Sequence, residues 1–137
     1  PNFPEAISEY ICRKLFNGKY LKGGDMIVNG KRVEIKAFSS TGPTSFGPTE
    51  KWDCILFLDF TKSPCLTVYK CDFSNDSQEW ENIKINASET YKKQCMQKRR
   101  PRISFSQLQK QIKFIKLYEN DIVSTIKSTK STDGIDL

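Results

Sequence analysis

The chain has 137 residues, 37% apolar and 28% charged, which predicts one domain over residues 1–137 with a core of its own. Its longest apolar run, Cys54 to Leu58, is far short of the ~20 residues of a membrane span, and no signal peptide is evident. Histidine is absent, which excludes Ser-His-Asp hydrolases, histidine-dependent nucleases and the usual zinc sites; any catalysis must run on carboxylates, lysine and a hard metal ion.

Residues 4–16 read as a helix. Pro4 suits a first turn, Ile7, Ile11 and Leu15 recur at helical spacing as an inward face, and Asn17-Gly18 ends it. Glu5 and Glu9 fall on the opposite face, where Glu9 has Arg13 as an i+4 partner. Two strands follow, over 25–28 and 31–38, joined by Asn29-Gly30. That dipeptide is the strongest short signal for a type I′ hairpin turn, because both residues accept positive φ. A two-residue turn there pairs Val28 with Lys31, Ile27 with Arg32, Met26 with Val33 and Asp25 with Glu34. Residues 39–51, with Gly-Pro steps on either side of Phe46, are expected to form a long loop without regular structure. Trp52 to Phe60 predicts a strand buried on both faces, and Leu66 to Cys71 another. Residues 73–88 read as irregular and 89–98 as a basic helix. A last helix opens at Ser104 or Ser106 and turns Phe105, Leu108, Ile112 and Ile115 inward. The Ser/Thr/Lys-rich tail is expected to be loosely ordered from about 128. The order predicts an α/β or α+β domain: a mixed central sheet flanked by helices.

The hairpin sets two carboxylates, Asp25 and Glu34, directly opposite each other, with Cβ atoms roughly 5 Å apart. Like charges there are destabilising unless neutralised, and a divalent cation does that. Alternation puts Glu34 and Lys36 on one face and Val33, Ile35 and Ala37 on the other, toward a core. An acid-x-Lys tripeptide alone is common; facing a second acid across a tight turn, it becomes a candidate catalytic centre. Asp25 and Glu34 then hold Mg²⁺, for which Mn²⁺ can substitute. Lys36 steers the attacking water or stabilises charge on the transition state.

Charge is uneven. From Tyr91 to Leu117 there are nine basic residues and no acid, while the rest of the chain carries 13 basic and 16 acidic residues. A basic lobe on a mildly acidic protein predicts a polyanionic partner, with phosphates first among candidates; a solvated face is the plainer reading. Lys92, Lys93, Lys98, Arg99, Arg100 and Arg102 are the candidate contacts. The Lys98–Arg102 tract is open to reading as phosphate clamps, guanine readers, a nuclear-localisation-like signal or a solvated cluster. Ser40, Thr41, Thr44 and Ser45, just after Lys36, offer hydroxyls to the same partner; a structural Ω-like loop is the alternative. Five cysteines with no CxxC spacing predict buried or idle thiols in a reducing cytoplasm.

Several segments together carry a resemblance. They are Asn2-Phe-Pro-Glu-Ala-Ile-Ser-Glu9, Gly24-Asp25, Glu34-Ile-Lys-Ala37, Thr44-Ser-Phe-Gly-Pro48, Trp52-Asp53, Phe57-Leu-Asp59 and Arg100-Pro-Arg-Ile-Ser-Phe105. The chain resembles, over roughly residues 2–117, a small family of Type II restriction endonucleases in the PD-(D/E)XK superfamily that cut GC-N-GC. The resemblance implies a PD-(D/E)XK core, Mg²⁺ dependence and a homodimer on double-stranded DNA, in the cytoplasm of a prokaryotic or viral host cell. The lack of a long apolar run speaks against a membrane partner. The resemblance also implies that Glu5, from the first helix, and the backbone carbonyl of Ile35 join the metal site. Two alternatives stay open: a PD-(D/E)XK repair or recombination nuclease, and a non-catalytic DNA-binding module using the basic lobe alone.

Overall fold

The computed structural model describes residues 5–21, 26–128, 135 and 137. A first helix, α1 (Glu5–Leu15), leads into strands β1 (Lys19–Tyr20), β2 (Met26–Val28) and β3 (Lys31–Phe38). After β4 (Thr44–Ser45) come the central strands β5 (Cys54–Asp59) and β6 (Cys65–Cys71). Three short helices follow, α2 (Gln78–Glu81), α3 (Tyr91–Met96) and α4 (Phe105–Gln109), with β7 (Arg102–Ile103) before the last. Strand β8 (Ile115–Asp121) and helix α5 (Ile122–Ser128) complete the described elements.

The sheet is mixed. Its order is β1-β2-β3-β5-β6-β8, with β3 and β5 parallel and the other neighbours antiparallel. Strand β5 is buried on both faces, and its alternation feeds two cores. Cys54, Leu56 and Leu58 join Met26, Val33, Leu66 and Val68 under α1; Ile55 and Phe57 join Phe46, Trp52, Trp80 and Tyr91 on the other side. The β3–β5 register is stapled at its start, where Arg32 N–H donates to Asp53 Oδ2 and Asp53 N–H to Arg32 O, each at 2.8 Å.

Four expectations are corrected. Residues 39–51 do contain regular structure, because β4 pairs with β7 through Thr44–Ile103 and Ser45–Arg102. The polar 73–88 stretch contains α2, which Ser77 caps by accepting from Trp80 N–H and which buries Trp80 completely. The last inward-facing helix is short: Ser104 caps it, Phe105, Leu108 and Ile112 are buried, but Ile115 is 43% exposed on edge strand β8. The helical spacing of apolar residues therefore ran past the true helix end, and the charged, half-exposed side chains of β8 suit an edge. Finally, Ile7 is 49% exposed, and α1 instead buries Ser8, Ile11, Cys12 and Leu15. The buried stripe is turned about one residue from the apolar pattern, with Ser8 in it and Ile7 out of it.

The tail also gains α5, whose first turn is capped by Asp121 Oδ1 accepting from Val123 and Ser124 N–H. Of the tail predicted to be loose, residues 129–134 and 136 lie outside the described residues. Ile135 N–H donates to Leu15 O at 2.8 Å.

Candidate active site

The hairpin forms as its turn chemistry demands. Asn29 and Gly30 take φ of 52° and 78°, and the ladder pairs Val28 with Lys31, Ile27 with Arg32 and Met26 with Val33. Asp25 and the side chain of Glu5 lie outside the described residues. Glu34 and Lys36 share the face of β3 opposite Val33, Ile35 and Ala37, which pack into the core under α1. Glu34 is 5% exposed. A carboxylate so far out of water requires compensating polar or charged neighbours.

Lys36 is held from several sides. Its Nζ is 3.9 Å from Glu34 Oε1 and forms a closer ion pair with Glu50, at 2.9 Å to Oε2 and 3.1 Å to Oε1. It also donates to the Ser45 carbonyl at 3.2 Å and lies 4.9 Å from the Phe46 ring centroid. Glu50 Oε1 in turn accepts from Gly47 N–H. A Cβ on Gly47 would come within 3.1 Å of Glu50 Cγ, so glycine leaves room for the carboxylate to fold back over the turn. Sequence reasoning missed Glu50. Its signal was weak: a single acid at the end of a loop rich in Gly, Pro and hydroxyls.

The loop that carries Glu50 is anchored and joined to the arginine tract. Phe46 is fully buried among Trp52, Trp80, Tyr91 and Phe57, with ring centroids 5.7–6.4 Å away. Phe46 N–H donates to Pro101 O at 2.8 Å, and Arg100 Nε reaches Ser45 Oγ at 3.4 Å. Of the predicted hydroxyl donors, Ser40 and Thr41 are exposed and Ser45 is half-buried, while Thr44 is buried in β4.

The basic candidates divide into two kinds. Lys92 pairs with Glu81 at 3.5 Å and Arg99 with Glu89, so acids from outside the run pair with two of the six candidates. Hydrogen bonds from Asn86, Arg99 and Gln94 pull the Glu89 carboxyl down to about 2. Lys93, Lys98, Arg100 and Arg102 are exposed.

Among the described residues no group of three or more Cys, Asp or Glu could hold a metal ion, and no helix is long and apolar enough to cross a membrane. The cysteines are unpaired; burial raises the Cys12 and Cys54 thiols, and raises Cys71 to about 11.

A buried acid beside a restrained lysine on a mixed sheet, with a basic segment hydrogen-bonded to the adjoining loop, is an arrangement suited to phosphodiester chemistry. Residues 1–113 match the Bsp6I restriction endonuclease family, and the chain belongs to it: it is a Type II site-specific deoxyribonuclease. Type II restriction enzyme Bsp6I of Bacillus sp. (strain RFL6) is 34% identical over 141 residues, covering 98% of this chain and 76% of the relative. No solved structure matches. Family membership selects the restriction-endonuclease reading over the repair nuclease and the silent binding module.

Proposed function

We propose that the protein is a Mg²⁺-dependent enzyme with a PD-(D/E)XK core, acting as a homodimer on a short palindromic double-stranded site, with GC-N-GC as the expected target. Asp25, Glu34 and Lys36 form its catalytic centre. The observation that carries this reading is the pairing of a buried Glu34 with Lys36 on the face of β3 away from the α1 core. Support for Asp25 comes from register, since the ladder pairs Met26 with Val33, the step just before Asp25 and Glu34.

The donor chemistry fits the ion. Mg²⁺ prefers hard oxygen ligands and keeps several waters, so a few carboxylate and carbonyl oxygens suffice to hold it. Asp25 and Glu34 would hold it, with Glu5 and the Ile35 carbonyl completing the set. When bound, the ion supplies Lewis acidity toward a phosphate oxygen and lowers the pKa of a coordinated water. Lys36 brings a positive charge, restrained by Glu50, Ser45 O and Phe46, to the phosphate undergoing attack. The exposed hydroxyls of Ser40 and Thr41, half-buried Ser45 and buried Thr44 line the loop approaching the DNA. Lys92, Lys93, Lys98 and Arg99 border the backbone, and Arg100 and Arg102 reach toward bases. Two-fold symmetry of the dimer then matches that of the target, with one centre per strand.

The test is digestion of a large plasmid with Mg²⁺, followed by mapping of fragment ends. Discrete bands with a common GC-N-GC sequence are expected. Discrete bands at another sequence would overturn the target, and an intact plasmid in Mg²⁺ but not in Mn²⁺ would overturn the choice of ion. Asp25→Asn and Lys36→Ala should each abolish cleavage while leaving DNA binding; near-normal cutting by either would remove that residue from the centre.

A further inference from the structure

We propose that Glu50 is a positioning residue that fixes the Lys36 ammonium for catalysis and ties its placement to the segment carrying Arg100 and Arg102. The proposal rests on the reading of Lys36 as catalytic. The Lys36–Glu50 pair is closer than Lys36–Glu34, 2.9 Å against 3.9 Å, so Glu50 dominates the local geometry. Its carboxylate is not a mobile surface group: the Glu50 side chain is 26% exposed, and Oε1 is also held by Gly47 N–H.

A lysine has four rotatable bonds and about 2 kcal/mol of rotamer entropy. Ordering it before the substrate arrives removes that cost from the chemical step. Three of the groups that order it, the Ser45 carbonyl, the Phe46 ring and Glu50, belong to one short stretch of chain. The same stretch is joined to the arginine tract by the Thr44–Ile103 and Ser45–Arg102 pairs, the Phe46–Pro101 hydrogen bond and the Arg100–Ser45 contact. Displacement of the arginines is therefore transmitted to Nζ through a short, hydrogen-bonded path. A surface ion pair of no consequence would lack the second anchor at Gly47 and the link to Arg100–Ile103.

Glu50→Gln keeps the size of the side chain and an acceptor for Gly47 N–H while removing the charge facing Nζ. Single-turnover cleavage of a duplex carrying the mapped site is measured against Mg²⁺ concentration, with DNA affinity measured in metal-free buffer. The plateau rate should fall by about 100-fold, the scale of a misplaced catalytic group. The Mg²⁺ midpoint and DNA affinity should stay unchanged, and Glu50→Asp should recover part of the plateau. Added to Lys36→Gln, Glu50→Gln should cost nothing further, since both act through one ammonium.

A shifted Mg²⁺ midpoint would make Glu50 a metal ligand and overturn the proposal. Lost DNA affinity with a normal plateau would make it a scaffold for the loop, and an unchanged rate would leave it no role; either overturns the proposal as well. Near-normal cleavage by Lys36→Gln alone would instead sink the reading of Lys36. Thermal unfolding verifies that each variant folds, and should Glu50→Gln fail to, Glu50→Asp carries the same readouts, its shorter arm lowering the plateau alone.

Discussion

Glu34 and Glu89 are both carboxylates at the edge of charged networks, and their burial separates their roles. Glu34 is 5% exposed and within 3.9 Å of Lys36. Burying an ionised carboxylate costs free energy that its polar and charged neighbours must offset, whereas a glutamine of the same size carries no such charge. Glu34→Gln should accordingly abolish cleavage, by about 100-fold or more, while holding or raising the thermal unfolding midpoint in metal-free buffer. A variant that loses activity and stability together would show Glu34 to be structural. Glu89 is the reverse case: hydrogen bonds from Asn86, Arg99 and Gln94 lower its carboxyl from 4.5 to about 2. A depressed carboxyl contributes stability that is fully present above its unfolded value and is lost as pH falls toward the folded one. The segment around α3 should therefore loosen between about pH 4.5 and 2. A carboxyl ¹³C titration of Glu89 should show a midpoint near the lower figure, moving up in Arg99→Ala; an ordinary midpoint in the unaltered protein would refute the network.

At the scale of elements, local chemistry wrote most of what the sequence made legible. The Asn29-Gly30 turn, the doubly buried β5 and the Ser104 cap each follow from a few adjacent residues. Gly30 takes φ 78°, where a β-branched side chain is strained. Gly30→Val should lower stability by about 1–2 kcal/mol, read as a lower urea midpoint at unchanged slope. Cleavage should fall more than stability does, because the turn sets the register of β3 against β2. An unchanged midpoint would mean that the turn tolerates another geometry. What stayed illegible depends on contacts between distant residues. Strand β4 exists only because Arg102–Ile103 comes back to pair with it. Trp80, in a polar stretch, is buried because Phe46, Trp52 and Tyr91 surround it. Glu50 became a partner of Lys36 through the fold of a Gly/Pro-rich loop that has no periodicity to read. The helical run from Phe105 to Ile115 misled for the same reason: pairing of β8 with β6 outweighs the spacing of Ile115.

Over the whole molecule, the basic segment divides into cations paired within the protein and cations left exposed, which the proposed function assigns to the DNA. Lys92 and Arg99 meet Glu81 and Glu89, and Lys116 meets Glu119 at 3.5 Å. Lys93, Lys98 and Arg102 are exposed. A cation already paired within the protein must give up that partner to reach a phosphate, so it releases less net counterion on binding. Lys93→Gln should therefore reduce the slope of log K against log salt by about 0.9, as for one phosphate contact, with equal effect on all sequences. Lys92→Gln should reduce it less. Arg102 differs again: its backbone pairs with Ser45, so its position is fixed by the loop that also holds Lys36. If its guanidinium reads a guanine edge, Arg102→Ala should cost about 1–3 kcal/mol at the cognate site and little elsewhere. Binding curves for cognate and scrambled duplexes at several salt concentrations separate the two behaviours. Uniform losses from Lys93 and Arg102 would mean that the arginine segment only clamps phosphates, and sequence reading would pass to the Gly42–Pro48 loop.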